Sequence, residues 1–283
     1  MDGIYLRGVF TIRHAFGSPK LISFIIPTLN KTALLEQCLS SIHKVCMSDK
    51  PPYLDYEIIV VQDGNSQDVT SELQRLNDLY HFRLFQTGRA CGYTRTINHG
   101  IRKAAGDLII LLNDDICFEQ NDWLALMLKS LQLHPKVGVI GCRLLYPDRR
   151  IQHGGMCFTD GIQLLGHKHW GQPEDVPDAL KVHRTIALTG AILAIKRDVV
   201  NEIGFLNENF IMLCSDTDYC LTAHQHGWIV IYNGRSYAIH HESQTRRQFK
   251  YPNRLSKLES HDLYKFYMKW SSDIKHMHLE GMI

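Results

Sequence analysis

The 283-residue chain carries 31 lysines and arginines against 29 acidic residues, and this near balance argues against a dedicated nucleic-acid-binding protein. Its hydrophobic content of 45% is that of a globular protein, and its length suits one large domain or one domain with an appendage. The eight cysteines include no Cys-x-x-Cys pair, which favours reduced thiols. No segment reaches the roughly 20 apolar residues of a membrane-spanning helix, and residues 1–20 lack the apolar core of a secretory signal. These features predict a cytosolic protein.

The first half of the chain alternates strand and helix patterns. The predicted strands are residues 21–26, 57–61, 83–85 and 108–112, and the predicted helices between them are residues 32–44, 68–79 and 93–104. This order predicts right-handed βαβ units and a parallel sheet in which 108–112 is the buried central strand.

The second half is less regular. We predict helices near 121–133, 199–202, 216–226 and 256–270, and strands at 137–142, 143–146, 189–195 and 228–232. Between them, residues 153–178 are rich in Gly, His and Pro and show no clear periodicity. That stretch is predicted to be a long loop, of the kind that is usually functional or mobile.

Polar groups follow three of the predicted strands. The apolar run 108–112 stops at Asn113-Asp114-Asp115, and the first two strands run into the loops 27–30 and 62–66. Each polar cluster has an ordinary alternative, an Asx turn at the end of a strand. However, carboxylates are costly beside a core unless they are paired or bind metal, and open α/β sheets bind ligands at the carboxyl ends of their strands. The three loops together predict an active site.

The order of these and later motifs resembles that of the inverting family 2 glycosyltransferases, from about Ile22 to Arg247. The motifs are Phe24–Asn30 (FIIPTLN), Glu57–Gly64 (EIIVVQDG), Gly92–Gly106 with Asn98-His99-Gly100, Leu112–Asp115 (LNDD), Leu144–Asp148 (LLYPD), Ile151–Gly155 (IQHGG), Thr189–Ala191 (TGA), Ser215–Cys220 (SDTDYC) and His240–Ser243 (HHES). Each motif alone is weak evidence, but all of them in this order are strong evidence.

The resemblance implies the GT-A fold, a Rossmann-like, mostly parallel central sheet flanked by helices, with a smaller mixed-sheet half on the acceptor side. It divides the chain into a leader at 1–20, a glycosyltransferase domain at 21–250 and a C-terminal helical extension at 251–283. Within the domain, residues 21–118 would form the nucleotide-binding half and 119–250 the acceptor half. The later motifs look most like the bacterial branch of rhamnosyl-, galactosyl- and glucosyltransferases that build surface polysaccharides.

By resemblance, Asp115 reaches a divalent metal, Mn²⁺ or Mg²⁺, which neutralises the leaving nucleoside diphosphate. His240 matches a family histidine that completes the metal site; the alternative is that His240-His241 simply ends a strand. Asn113 stands where the family often has Asp, which lowers the charge of the site.

The same resemblance assigns the donor nucleotide to the first strand ends. Asp63 would accept a hydrogen bond from a uracil or thymine imide, Asp114 and Asn113 would lie against the ribose or diphosphate, and two arginines are candidates for the diphosphate. The nucleotide-binding candidates are Pro27, Thr28, Asn30, Asp63, Arg95, Asn113, Asp114 and Arg246. Asp63 could instead form an Asx turn with Gly64, and Arg95 could be a surface residue.

Inverting transfer requires a base that removes the proton of the acceptor hydroxyl. Asp216 matches the family base and Asp218 is the reserve; the alternative for Asp216 is an ordinary aspartate in the first turn of a helix. Ser215 replaces the usual Glu or Asn before the base. Trp170 and Tyr146 are candidates for stacking on the acceptor sugar, as is Trp228, although its strand pattern favours the core. His153, His167 and His169 lack the accompanying ligands of a structural zinc site.

The sequence therefore predicts a metal-dependent inverting glycosyltransferase that moves a sugar from a UDP- or dTDP-linked donor to a glycan or lipid-linked acceptor. The alternatives are a non-catalytic nucleotide- or glycan-binding module of the same fold, favoured by Asn113 and Ser215, and one domain of a larger synthase. A nucleotidylyltransferase is disfavoured because residues 27–30 are not a Gly-rich basic loop. The basic segment 246–269 is either a solvated helix face or a contact to anionic lipid at the inner membrane face.

Overall fold

The computed structural model describes residues 19–29, 31–49, 54–241 and 252–279. Its strands are β1 (Leu21–Thr28), β2 (Asp55–Gln62), β3 (Arg83–Gln86), β4 (Leu108–Leu112), β5 (Ile116–Cys117), β6 (Val137–Leu145), β7 (Ile151–His153), β8 (Met156–Phe158), β9 (Leu165–His167), β10 (Val182–Arg184), β11 (Ile192–Lys196) and β12 (Ile229–His240). Its α-helices are α1 (Thr32–Asp49), α2 (Gln67–Tyr80), α3 (Tyr93–Lys103), α4 (Trp123–Leu131), α5 (Arg197–Ile203), α6 (Ser215–Gln225) and α7 (Pro252–Leu279). None of the described helices is long and apolar enough to cross a membrane.

Strands β1–β4, in the half predicted to bind nucleotide, form a parallel sheet, as predicted. β4, β1, β2 and β3 are neighbours in that order, and each pairs in parallel with the next. All five residues of β4 are buried, which confirms it as the central strand. The connecting helices cover both faces: α1 and α2 pack on one, and α3 packs on the other. Parallel strands covered on both faces have near-continuous apolar sequences, which is why pattern alone located them.

The half predicted to bind the acceptor continues the same sheet with mixed strand directions. β11 lies antiparallel between β4 and β6, β12 runs parallel to β6, and β10 closes the edge antiparallel to β12. The predicted strands 137–142 and 143–146 are one continuous strand, β6. The predicted strand 228–232 likewise continues to residue 240, through a register irregularity between Asn233 and Tyr237.

The stretch 153–178 is not the structureless loop that its composition predicted. It contains the end of β7, the hairpin of β8 and β9, and a short 3₁₀ helix at Pro177–Leu180. These strands are three residues long, too short for an alternating pattern to be recognised. Residues with positive φ, among them Gly155 and Leu164, turn the chain between them.

The final helix is longer than the predicted 256–270. α7 spans residues 252–279, and its buried Phe266, Trp270 and Ile274 belong to the same apolar cluster as residues of α3, α5 and α6. This face of the sheet is therefore covered by helices from both ends of the chain. Residues 1–18 of the predicted leader lie outside the described residues, as do the candidate ligands Asn30 and Arg246.

Candidate active site

The Asn113-Asp114-Asp115 segment lies between β4 and β5, at the carboxyl end of the central strand. The Asn113 backbone N–H donates to the Ala191 carbonyl, which fixes the segment to the residue that precedes β11. Asp114 and Asp115 are only 8% and 6% exposed. Two adjacent carboxylates are therefore held in a buried position where charge is costly.

The buried environment of Asp114 favours its neutral form. Burial, together with the charge of Asp115, raises the pKa of the Asp114 carboxyl to about 7. The Thr28 hydroxyl donates to Asp114 Oδ2 at 2.7 Å, which favours the ionised form and limits the rise. A bound cation would favour ionisation further, because an opposite charge nearby lowers the pKa of a carboxyl.

Asp115 faces a histidine whose proton is held on the opposite side of the ring. His240 Nδ1 lies 2.6 Å from the carbonyl oxygen Oε1 of Gln152, which is only an acceptor, so Nδ1 carries the proton. In the neutral ring, the lone pair of Nε2 then faces Asp115 Oδ1 at 3.0 Å. Oδ1 is buried and accepts no hydrogen bond from any residue that the structure describes.

A carboxylate oxygen and an imidazole lone pair at this distance repel each other unless a cation lies with them. Burial raises the pKa of Asp115, but hydrogen bonding from a protonated His240 ring, the local backbone and the charge of Lys31 outweigh it and bring the pKa below the ordinary value. The cation could be the His240 ring itself after protonation, or a metal ion. A divalent metal such as Mn²⁺ fits this donor set, since it accepts both carboxylate oxygen and imidazole nitrogen.

The protein supplies only part of a coordination shell. Among the described residues, no group of three or more His, Cys, Asp or Glu side chains is arranged to hold a metal ion. A pair of protein ligands is sufficient where substrate phosphates and water complete the shell, as is usual for Mg²⁺ in phosphate-handling sites. Asp115 and His240 are therefore suited to a metal that arrives with a diphosphate.

Asp63 follows β2 and is directed towards the start of α3. Its Oδ1 accepts the Cys91 N–H at 2.8 Å, and its Oδ2 accepts the Gly92 N–H at 3.1 Å. Arg95, on α3, lies 3.5 Å from the Glu208 carboxylate and is about half exposed. The structure thus gives Asp63 a role in holding the loop before α3, and it pairs Arg95 with a carboxylate of the acceptor half.

Asp216 lies in the first turn of α6 and is held by backbone N–H groups. Its Oδ2 accepts the Gly190 N–H at 2.6 Å, and its Oδ1 accepts the N–H of Thr217 at 2.7 Å. The Tyr93 hydroxyl donates to the Gly190 carbonyl at 2.9 Å, and a Cβ added at Gly190 would lie 2.7 Å from that hydroxyl oxygen. Glycine is required at position 190 so that Asp216 and Tyr93 can approach the backbone.

Asp218, the reserve base, has a different environment. Its Oδ1 accepts hydrogen bonds from the Lys269 ammonium at 2.6 Å and the Trp270 indole N–H at 2.7 Å, both from α7. The side chain is buried. Asp218 therefore links α6 to α7 in this structure, and of the two aspartates only Asp216 is partly exposed.

A short backbone segment joins the two carboxylate clusters. Gly190 donates to Asp216, and the next residue, Ala191, accepts from Asn113. Through this segment the structure links Asp216 to the Asn113–Asp115 loop, where Thr28 contacts Asp114 and His240 contacts Asp115. A site that must hold a charged leaving group and a base near one reacting carbon requires such an arrangement.

Sequence reasoning assigned no role to three residues near these clusters. Gln152 orients His240, Tyr93 supports Gly190, and the charge of Lys31 acts on both Asp114 and Asp115. Burial lowers the pKa of Lys31, although the two carboxylates oppose the shift. Position alone gave a signal for Lys31, which directly follows the predicted loop 27–30, and the IQHGG motif gave one for Gln152. No pattern in the sequence indicates Tyr93.

The aromatic candidates for acceptor binding separate into surface and core. Trp170 is 66% exposed, and its indole N–H donates to the Tyr146 hydroxyl at 3.0 Å. Trp228 is buried and donates to Glu202. The structure confirms the core interpretation of Trp228, and it leaves the exposed Trp170 hydrogen-bonded to the partly buried Tyr146.

Comparison with known proteins agrees with this geometry. The model of the family described as Glycosyl transferase family 2 matches residues 23–164, half of the chain. The uncharacterised protein y4gI of Sinorhizobium fredii is 32% identical over 237 residues, 81% of this chain but 25% of that protein. The O-antigen biosynthesis protein RfbC of Myxococcus xanthus is 27% identical over 238 residues, 82% of this chain and 18% of that protein. The chain thus spans a quarter or less of the length of these relatives.

Solved structures share the fold at low sequence identity. The mannosyltransferase PcManGT of Pyrobaculum calidifontis, in complex with GDP-Man and Mn²⁺, matches 81% of this chain and 59% of its own, with a TM-score of 0.59 and 18% identity. GalNAc-T7 with UDP, GalNAc and Mn²⁺ matches 78% of this chain and 43% of its own, also with a TM-score of 0.59, at 16% identity. The predicted GT-A architecture is thereby confirmed.

Proposed function

Because the chain belongs to glycosyltransferase family 2, we propose that it is a metal-dependent, inverting glycosyltransferase that transfers a sugar from a UDP- or dTDP-linked donor to a glycan acceptor. One observation carries this proposal: the buried Asp115–His240 pair, whose facing oxygen and nitrogen lie 3.0 Å apart, is joined through Ala191 and Gly190 to a carboxylate at the start of α6. A degenerate binding module would have no need to keep both halves of this arrangement.

Asp115 and His240 would hold Mn²⁺ or Mg²⁺, and the bound metal would offset negative charge on the leaving diphosphate. Lys31 adds a positive charge near the same carboxylates. Gln152 keeps the Nε2 lone pair of His240 directed at the site, as partners of metal-binding histidines commonly do. Thr28 and Asp114 would lie beside the nucleotide.

Asp216 would remove the proton of the acceptor hydroxyl while the acceptor oxygen attacks the anomeric carbon opposite the leaving group. The N–H groups of Gly190 and Thr217 hold the carboxylate in one orientation, and its partial exposure allows an acceptor to reach it. A base on the side opposite the diphosphate gives inversion at the anomeric carbon.

The biological setting we propose is bacterial polysaccharide synthesis, supported by the relative involved in O-antigen biosynthesis and by a Campylobacter jejuni glucosyltransferase, 35% identical over 100 residues, named for an undecaprenol-linked substrate. The chain would act alone or as one domain of a longer synthase. The setting we propose is the cytoplasm, in which thiols such as those of the buried Cys38, Cys142 and Cys220 stay reduced. Lys265 and Lys269 of the basic segment bind Asn209 and Asp218, so any lipid contact would fall to the other basic residues.

The test is calorimetric titration of UDP, dTDP and GDP, each with and without Mn²⁺, into the wild-type protein and Asp115→Ala. We expect one of the first two nucleotides to bind in a metal-dependent way, and Asp115→Ala to weaken that binding by more than about 100-fold because a metal ligand is lost. Asp216→Ala is the matched control and should bind nucleotide as the wild type does. Binding of GDP alone would correct the donor, and absence of binding by all three would contradict the proposal.

A further inference from the structure

The C-terminal helix α7 contacts the loop that precedes α6, the helix on which the proposed base Asp216 lies. Asp262, on α7, is completely buried, and its Oδ2 accepts the backbone N–H groups of Ile211, Met212 and Leu213 at 2.9, 2.7 and 3.0 Å. Three N–H groups directed at one oxygen stabilise an ionised carboxylate without a cation. Residues 211–214, here called the base loop, end where α6 begins, two residues before Asp216.

The base loop has a conformation that needs support from outside. Cys214, the residue before α6, has a φ of +65°. A non-glycine residue in this left-handed region is strained, so the surrounding structure must impose its conformation. Support from the other side comes from α3, because the Thr94 N–H donates to the Ile211 carbonyl at 3.4 Å.

α7 also holds the chain on both sides of the base loop. Lys265 donates to the Asn209 carbonyl before the loop, and Lys269 and Trp270 donate to Asp218 after it. Asp216 therefore lies between two attachments to the same helix. Its bond to the distant Gly190 N–H can form only if the base loop places α6 correctly, whereas its bond to the adjacent Thr217 N–H is local.

We propose that Asp262 is a positioning residue for Asp216: by binding the base loop it sets the orientation of the carboxylate that Gly190 and Thr217 hold. The functional meaning of this contact rests on the proposed role of Asp216 as the base. The positional claim itself concerns only atoms within the protein, so it can be tested without donor or acceptor.

The experiment is residue-resolved amide hydrogen exchange on the full chain, comparing the wild type with Asp262→Asn. Asparagine keeps the shape and one acceptor oxygen but loses the charge that strengthens the three hydrogen bonds. We expect exchange at Gly190 and Thr217, the two amides bonded to Asp216, to become about tenfold faster, together with exchange at residues 211–213. Amides of β4 should be unchanged.

Two further variants calibrate the expected changes in amide exchange rate. Asp216→Ala shows how fast the Gly190 amide exchanges when the carboxylate is absent. Asp273→Asn is the matched control, since Asp273 lies on the same helix and accepts only an exposed hydrogen bond from Gln225 of α6. It should leave Gly190 and Thr217 protected. If Asp262→Asn accelerates exchange at 211–213 but leaves Gly190 and Thr217 as in the wild type, the positioning role is wrong.

A wild-type measurement covers the case in which Asp262→Asn does not fold. In low concentrations of denaturant, residues 211–213, Gly190 and Thr217 should open in one cooperative step with one denaturant dependence. Separate steps would overturn the inference. Either result is independent of nucleotide titration, so failure of this inference and failure of the proposed function are distinguishable.

Discussion

The two carboxylate clusters of this protein have opposite environments. At the end of β4, Asp114 and Asp115 are buried next to each other, and burial together with the charge of Asp115 raises the pKa of Asp114 to about 7. Around α6, the carboxylates of Asp216, Asp218 and Asp262 are bound by backbone N–H groups or by cationic and indole donors. The first cluster needs a positive charge that the folded chain does not fully supply, whereas the second is already arranged for anions. This difference separates a ligand-dependent half of the site from a preformed half.

The largest expected effect concerns Asp216, the proposed catalytic base, because its loss should affect transfer but not nucleotide binding. We expect Asp216→Asn to lower kcat by about 10²–10⁴-fold, because an amide cannot accept the proton, while metal-dependent nucleotide affinity stays within about twofold of the wild type. Steady-state transfer assays, together with nucleotide titration, measure both quantities. Loss of nucleotide binding in Asp216→Asn would show that the two halves of the site are not separate.

The charge imbalance at β4 predicts a pH-dependent gain of stability in Asp114→Asn. Between about pH 4 and 7 the unfolded aspartate loses its proton while folded Asp114, with a pKa of about 7, keeps it, so wild-type stability falls as pH rises through this window. Asparagine does not titrate, so the variant has no such loss of stability as pH rises. We expect the variant to be more stable than the wild type by about 2 kcal/mol at pH 8 and by much less at pH 4, measured by urea unfolding without metal.

Added Mn²⁺ provides a second test of the charge at Asp114. The metal binds the folded state and offsets the carboxylate charge, so it should stabilise the wild type more than Asp114→Asn at pH 8. Equal stability differences between the two proteins at pH 4 and pH 8 would mean that Asp114 has an ordinary pKa. The two clusters would then differ less than their burial indicates.

The smallest expected effect concerns the backbone that joins the clusters. Gly190→Ala adds a Cβ 2.7 Å from the Tyr93 hydroxyl and 3.2 Å from Asp216 Cβ, so we expect a loss of about tenfold in kcat with the nucleotide affinity preserved. Tyr93→Phe removes the hydroxyl that the new methyl group meets. The double variant should therefore recover part of the loss, a coupling that a double-mutant cycle measures. Additive effects would place the cost of the methyl group elsewhere.

The parallel half of the fold could be predicted from the sequence with nearly correct boundaries, since β1, β2 and β4 are long apolar runs followed by polar loops. In the half predicted to bind the acceptor, the strand boundaries could not be predicted from the sequence. Arg143 divided one strand into two in the pattern, yet it is buried within β6, where its guanidinium donates to the Glu174 carbonyl and lies over the Tyr237 ring. A charged residue in a strand is recognised as internal only when its distant partners are known.

A second example is the polar segment in the middle of β12, which resembles a turn in sequence. Asn233 donates to the Leu126 carbonyl, and Ser236 donates to the Trp123 carbonyl, so α4 provides the partners that a turn would otherwise provide itself. The residues of the candidate site likewise fall into those that the sequence indicated and those that it did not. Motif order indicated Asp114, Asp115, Asp216 and His240, whereas Asp262 depends on contacts made about 50 residues away in the chain, which no local pattern reports.

The first turn of α3 belongs to both halves of the site. The loop that enters it gives the Gly92 N–H to Asp63 at the nucleotide side, and Thr94, two residues later, gives its N–H to Ile211 of the base loop. One helix end is thus shared by Asp63, the predicted contact to the nucleotide, and by the loop that supports the proposed catalytic base. If a bound nucleotide stabilises this helix end, thermodynamic reciprocity requires that a firmly held base loop strengthen nucleotide binding by the same factor. Binding of the nucleotide-sugar donor would then be coupled to the position of the base loop through the first turn of α3.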